Sequence, residues 1–334
     1  MKSRFHNALG ALLLTAAALL VPAAAIGKDA PASVPRAAPV PLLWKVSGAD
    51  GSELYLLGSF HLLKPQDYPP SADVEQAFVA ARRLLFELSP QELASPTLPA
   101  QMLQAAVRQD GRQLKDDLDA ATWTRLQGYA RANALPLDRL AGMKPWFVGL
   151  SISLAQMAKQ GLDPQSGLDR YLMGRADAAG KPASGLETGA GQIALLDGMD
   201  TLEQRQLLRE ALEQAEQGDA DGQRLYDAWR RGDEAMLWKD MAQQMKRGYP
   251  QLYRRINVDR NDAWVPLLEQ QLKPGRGSTL VVVGALHLLG NDGVVEKLRA
   301  RGYAVKRICS SCQPQKKAAA LRQPVTRTAQ KAGA

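Results

Sequence analysis

Leu56-Leu57-Gly58-Ser59-Phe60-His61-Leu62-Leu63 has an echo far downstream in Val282-Val283-Gly284-Ala285-Leu286-His287-Leu288-Leu289. In each stretch an apolar run that reads as a strand gives way to Gly-x-x-His-Leu-Leu. The first run is the second arm of an expected hairpin, with Leu42–Val46 and Glu53–Gly58 flanking a loop rich in Gly and Asp. The second, Leu280–Val283, is continuously apolar, as a strand buried on both faces should be.

Outward from these runs, the pattern predicts strands at Leu84–Leu88, Pro182–Glu187, Thr279–Gly284 and Tyr303–Ile308. Ser71 is a suitable N-cap, with Asp73 and Glu75 in the first turn of a helix reaching about Arg83. Further helices are expected over 99–109, 120–133, 145–159, 167–179, 189–198, 201–217, 219–231, 233–246 and 250–272. A last one spans Gly293–Arg301 and closes on Arg-Gly. The order is strands and a helix, a helical middle at about 97–275, then strand, helix, strand. That predicts an α/β fold, or α+β, whose central sheet draws on both ends of the chain around a large helical insertion.

The ends carry the charge. The chain has 334 residues and a formal charge of +8, which invites a nucleic-acid reading. Two of those net charges lie in residues 1–25 and five in 313–334, leaving +1 for residues 26–312. Lys2 and Arg4, an uncharged run from Ala8 to Val21 and Pro22-Ala23-Ala24-Ala25 read as a cleavable signal peptide. The run is short of the ~18 apolar residues of a membrane span. The mature protein is therefore expected to be periplasmic or secreted, with no transmembrane segment. Residues 26–40 read as a flexible Pro/Ala-rich leader, 41–312 as a single domain, and 313–334 as a disordered basic tail able to touch anionic envelope surfaces. A nearly neutral body excludes nucleic acid as the expected partner. Cys309 and Cys312 form a CxxC after the last expected strand, where a local disulfide fits better than a thioredoxin-type motif.

With His6 in the signal segment, both remaining histidines, His61 and His287, sit in the repeated motif. At the carboxyl end of a strand in an open α/β sheet a side chain reaches the crevice where ligands bind. Gly58 and Gly284 leave space for a close approach of backbone or ligand. Glu87 and Glu187 place carboxylates in apolar strand contexts, where they must be paired, neutralised or metal-bound. Two histidines with one or two carboxylates make a plausible site for Zn, Mn or Co, which would activate a water and polarise a carbonyl. Arg260 and Asn261 precede the second motif strand and could donate to an anionic intermediate.

Plainer roles stand beside these. A strand-end histidine is often structural, Glu87 could pair with an arginine, and Glu187 could neighbour a helix N-cap. Arg260 could serve in an ion pair. Met and Trp along 229–246 fit a core better than a binding stripe. Phosphate loop, Gly-x-Ser-x-Gly and HExxH patterns are missing from the sequence.

In combination the motifs resemble the TraB/GumN family, relatives of the Tiki proteases that clip Wnt proteins. The similarity runs from Leu43-Trp44-Lys45-Val46 and Leu57-Gly58-Ser59-Phe60-His61 through Leu85-Phe86-Glu87-Leu88 and Lys144-Pro145-Trp146. It continues in Gly167-Leu168-Asp169, Gly185-Leu186-Glu187-Thr188 with Gln192, Arg260-Asn261 with Trp264, and Gly284-Ala285-Leu286-His287 with Gly290. The span is about residues 41 to 308. The resemblance implies a metal-dependent hydrolase fold with the two Gly-x-x-His motifs and an acidic residue at its centre. Carried over, His61, Glu87 and His287 become the expected metal ligands, with Glu187, Arg260 and Asn261 around them.

The expected function is thus an exported metal-dependent hydrolase acting on a peptide or protein. Two alternatives remain open: a non-catalytic binding protein for a peptide or saccharide, and a metal-independent, esterase-like hydrolase using one histidine as base.

Overall fold

The structure, a computed structural model, describes residues 37–217 and 220–312. The signal-like segment, all but the last four residues of the leader, and the basic tail lie outside the described residues.

Six strands form one mixed sheet: β1 (Leu43–Ser47), β2 (Glu53–Ser59), β3 (Arg83–Phe86), β4 (Ala183–Gly185), β5 (Ser278–Gly284) and β6 (Ala304–Ile308), in the order β4-β3-β5-β2-β1-β6. β1 and β2 form the expected hairpin, turned by Asp50 and Gly51 in the left-handed region, φ 50° and 75°. β6 pairs antiparallel with β1, so the first and last strands lie side by side at one sheet edge. β2, β5, β3 and β4 run parallel to one another. The α/β reading holds. β5 lies at the sheet's middle between β2 and β3, and its Leu280–Val283 run is buried on both faces, as its lack of alternation implied.

The strands at 84–88 and 182–187 are shorter than expected, ending at Phe86 and Gly185. Backbone pairing continues a little beyond them, with the Leu186 N–H on the Phe86 carbonyl at 2.8 Å and the Glu187 N–H on the Glu87 carbonyl at 2.9 Å, which carries both carboxylates to the same edge.

The longer helices are α1 (Ala72–Ala80), α2 (Leu98–Ala106), α3 (Ala120–Ala132), α4 (Pro145–Lys159), α5 (Leu168–Ala178), α6 (Gly189–Asp197), α7 (Thr201–Gln217), α8 (Ala220–Arg231), α9 (Asp259–Gln271) and α10 (Val294–Ala300). α2 stops three residues early because Val107 becomes extended and bridges Met143. α4 and α7 approach closely at Gly149, where a Cβ would lie 2.9 Å from the Leu208 Cα. They share with α3 a smaller apolar cluster around Leu126, Val148, Ile152 and Leu208.

The 233–246 and 250–272 segments are not plain α-helix. Each contains a π turn, at Trp238–Ala242 and Arg254–Val258. Such insertions shift the helical face and recur at functional sites. Trp229, Met241 and Met245 are core residues, as the helical spacing suggested. The structure joins Cys309 and Cys312 in a local disulfide. The loop between them docks on α1 through Ser310, which gives Asp73 a backbone bond of 2.8 Å and a hydroxyl bond of 2.6 Å. Among the described residues no helix is long and apolar enough to cross a membrane.

Candidate active site

Four neighbouring parallel strands end on the same side of the sheet, and a polar residue follows each. His61 lies two residues beyond β2, Glu87 one beyond β3, Glu187 two beyond β4 and His287 three beyond β5. This is the carboxyl-edge crevice of an open parallel sheet. All four side chains converge on Arg260 or on Gly284.

Gly284 is the floor. Its N–H donates to Glu87 Oε1 at 2.8 Å. A Cβ at that position would sit 3.2 Å from His61 Nε2, 3.3 Å from Glu87 Oε1 and 3.6 Å from His287 Cδ2. The backbone there is ordinary (φ −52°), so glycine is required for space and not for conformation.

Arg260 is the organiser. It stands in the first turn of α9, immediately after the second π turn, with Asn261 and Trp264 on the same buried face. Its Nη2 donates to Glu87 Oε2 at 2.5 Å and Glu187 Oε2 at 2.8 Å. Nε donates to Glu187 Oε1 at 2.8 Å. Nη1 reaches His287 Nε2 at 3.1 Å and the Ile256 carbonyl at 3.3 Å. All five N–H donors of the guanidinium are therefore engaged. Glu187 is held further by Trp264 Nε1 at 2.9 Å and Gln192 Nε2 at 3.0 Å.

Asn261 Nδ2 donates to the Asp292 carbonyl at 2.8 Å, which turns its Oδ1 to His287 Nδ1 at 2.7 Å. His287 consequently carries its proton on Nδ1 and offers the Nε2 lone pair to Arg260. Asn261 thus acts through the His287 ring instead of donating to a reacting oxygen.

His61 lies between two acids, with Nε2 3.7 Å from Glu87 Oε1 and Nδ1 3.5 Å from Asp169 Oδ2. Asp169 sits in the first turn of α5, whose start is docked on the motif backbone by the Leu168 N–H to the Phe60 carbonyl at 3.3 Å. A side chain at Gly167 would collide with the His61 carbonyl. Asp169 received no role from the sequence. Its signal was present, an acid just inside a helix opened by glycine in Gly167-Leu168-Asp169, but nothing local tied it to His61.

The two histidines titrate in opposite directions. Burial lowers the basicity of both. At His61 the carboxylates of Asp169 and Glu87 outweigh burial and raise the pKa above the usual 6.5. At His287 burial and the neighbouring Arg260 charge push it down to about 3. Glu87 is lowered to about 2, because Arg260, His287 and His61 overcome the burial that opposes ionisation. Arg260 is raised: burial works against it, but Glu87 and Glu187 prevail.

His61, Glu87 and His287 face a pocket walled otherwise by apolar side chains such as Phe60, Leu237, Met241 and Leu286. Gly58 is not part of it. A Cβ there would meet Leu42 Cβ at 3.0 Å and Ala285 Cα at 3.1 Å, so Gly58 allows close packing of the strand against both.

As the side chains stand, the expected metal ligands do not fit a three-ligand ion. His61 Nε2 and Glu87 Oε1 face one another, but His287 Nε2 and Glu87 Oε2 are taken by a permanent cation. Among the described residues no group of three or more His, Cys, Asp or Glu is arranged to hold a metal.

No curated protein and no solved structure matches the chain. A family model does, over residues 42–307, which takes in every strand but the last residue of β6 and every residue of the site. On that match and on the order of its motifs, the chain belongs to the TraB/PrgY/gumN family.

Proposed function

We propose that the chain is a hydrolase that cleaves a peptide or ester carbonyl in the pocket between His61 and His287. The observation that carries this reading is the seating of His61 between Asp169 and Glu87, with Nε2 facing the pocket. Asp169 orients the ring and supports the charge that forms when Nε2 accepts a proton from water. The activated water attacks the carbonyl carbon, and the same imidazolium returns the proton to the leaving group. Arg260 holds Glu87 ionised and His287 neutral, so the pocket has one proton acceptor of elevated basicity. Apolar walls keep bulk water out and strengthen each of these interactions.

A divalent ion is a second reading, favoured by the space above Gly284 where His61 Nε2 and Glu87 Oε1 meet. Those two atoms would hold the ion, and His287 would join only if Arg260 swung away. Its chemistry would be Lewis-acid activation of water or carbonyl.

Export to the periplasm or beyond is part of the proposal, supported by the signal-like residues 1–25 and by the Cys309–Cys312 disulfide. The deciding experiment assays purified protein on fluorogenic peptides and nitrophenyl esters, with metal content measured alongside. Turnover that survives chelation and disappears in His61→Ala supports the base mechanism. Stoichiometric metal, lost in a His61→Ala/His287→Ala variant together with activity, selects the ion. Ligand binding without turnover would leave a binding protein.

A further inference from the structure

Ser59 is the last residue of β2 and pairs directly with Gly284 in the parallel ladder. Paired positions in a ladder present their side chains on the same face of the sheet. On that face the missing Gly284 side chain leaves room beside His61 and Glu87. Ser59 lines the same pocket as the two histidines, is 2 % exposed, and its Oγ has no hydrogen-bond partner. A buried hydroxyl left unpaired forfeits its hydrogen bonds to water, a cost that alanine in the same space would not carry. Thr279, near the opposite end of β5, also has an unpaired hydroxyl, but it does not line the pocket of the two histidines.

The surrounding donors narrow the role. All five N–H groups of Arg260 are engaged, Asn261 is spent on His287 and Asp292, and the Gly284 N–H is spent on Glu87. A carbonyl oxygen entering between His61 and His287 therefore meets the Ser59 hydroxyl, an uncommitted neutral donor beside the His61 ring. The apolar wall formed by Phe60, Leu237 and Met241 suits the uncharged flank of an amide or ester better than a bare anion.

We infer that Ser59 Oγ donates a hydrogen bond to the carbonyl oxygen of the ligand, making the pocket a receptor for amide or ester groups. The inference shares its pocket with the hydrolase reading and extends it: the same bond would strengthen as negative charge grows on that oxygen. Ser59 forms no covalent bond in this scheme, since no histidine lies within hydrogen-bond reach of its hydroxyl to remove the proton.

The test uses the full chain and N-acetylalanine methylamide ¹³C-labelled at its carbonyls, titrated by NMR. Wild type should bind it, Ser59→Ala about tenfold more weakly, and Ser59→Thr, which keeps the hydroxyl, within about twofold of wild type. The Ser59→Ala protein should melt at or slightly above the wild-type temperature, because no intramolecular bond is lost. Absent binding, or equal binding by wild type and Ser59→Ala, overturns the inference. So does a marked fall in melting temperature or failure to fold in Ser59→Ala, which would make the hydroxyl structural. Ser59-dependent binding without cleavage of any peptide or ester would leave the inference standing and remove the hydrolase reading.

Discussion

Arg260 Nη1 lies 3.1 Å from His287 Nε2, so a permanent cation rests on the lone pair of a neutral imidazole. The same guanidinium neutralises Glu87 and Glu187, two carboxylates from strands that are neighbours in the sheet. The ion pair is buried, and its members depend on one another.

Removing the arginine should therefore cost far more than an average substitution. Arg260→Ala leaves two carboxylates without their cation, and a loss of about 3–5 kcal/mol is expected in urea denaturation. Pairing it with Glu87→Gln and Glu187→Gln should recover much of the loss. A single variant within about 1 kcal/mol of wild type would show that water screens these charges.

Acid sensitivity follows from the two depressed groups. Below pH 6.5 the unfolded chain protonates His287 while the folded one resists down to about 3. Glu87 adds a second loss as pH falls from 4.5 towards about 2. Stability should thus decline from about pH 6.5 downwards, by up to about 1.4 kcal/mol per pH unit for each proton. His287→Gln should remove the upper part of that decline and Glu87→Gln the lower. His61 opposes them: its raised pKa adds stability below 6.5 that disappears as pH rises through the folded value. Denaturation midpoints measured from pH 3 to 8 separate the three.

Asp169→Asn should lower the titration midpoint of His61, since that carboxylate is the largest influence raising it. With labelled histidine only His61 and His287 report from the body, so the assignment is direct. An unmoved midpoint would mean that Glu87 alone supports the charge.

Gly284→Ala should fold, because its backbone angles suit any residue, at an expected loss of about 1–3 kcal/mol for overpacking. Its methyl group would lie against His61, Glu87 and His287, so the histidine resonances should shift and activity should disappear. Gly58→Ala should cost similar stability through Leu42 and Ala285 and leave the resonances nearly unchanged.

The two histidines and the strands leading to them were legible because their signal is local: an apolar run, a glycine and a histidine three residues on. Several helical boundaries were legible through caps and periodicity, with 145–159 and 201–217 matching to the residue, whereas the helix expected to reach about Arg83 ends at Ala80 because Arg83 already opens β3. Arg260 and Asn261 were visible as candidates but not in their roles. Whether a guanidinium donates to a ligand or is consumed by Glu87, Glu187 and His287 depends on strand neighbours that only topology supplies. The same holds for Asp169, which meets His61 across about a hundred residues of chain. The π turns carry no sequence mark, and the three-residue separation of Cys309 and Cys312 favoured a local disulfide without fixing it.

The place of β5 has a temporal consequence. β2 and β3 are made early, yet they never touch; the strand between them comes from the last fifth of the chain. A nascent or truncated polypeptide ending before Gly284 has a gap two ladder spacings wide, about 10 Å, where the floor of the pocket belongs. It also lacks His287 altogether. The pocket is therefore assembled only when the chain is nearly complete, because β5 is what brings Gly284 and His287 between the earlier strands.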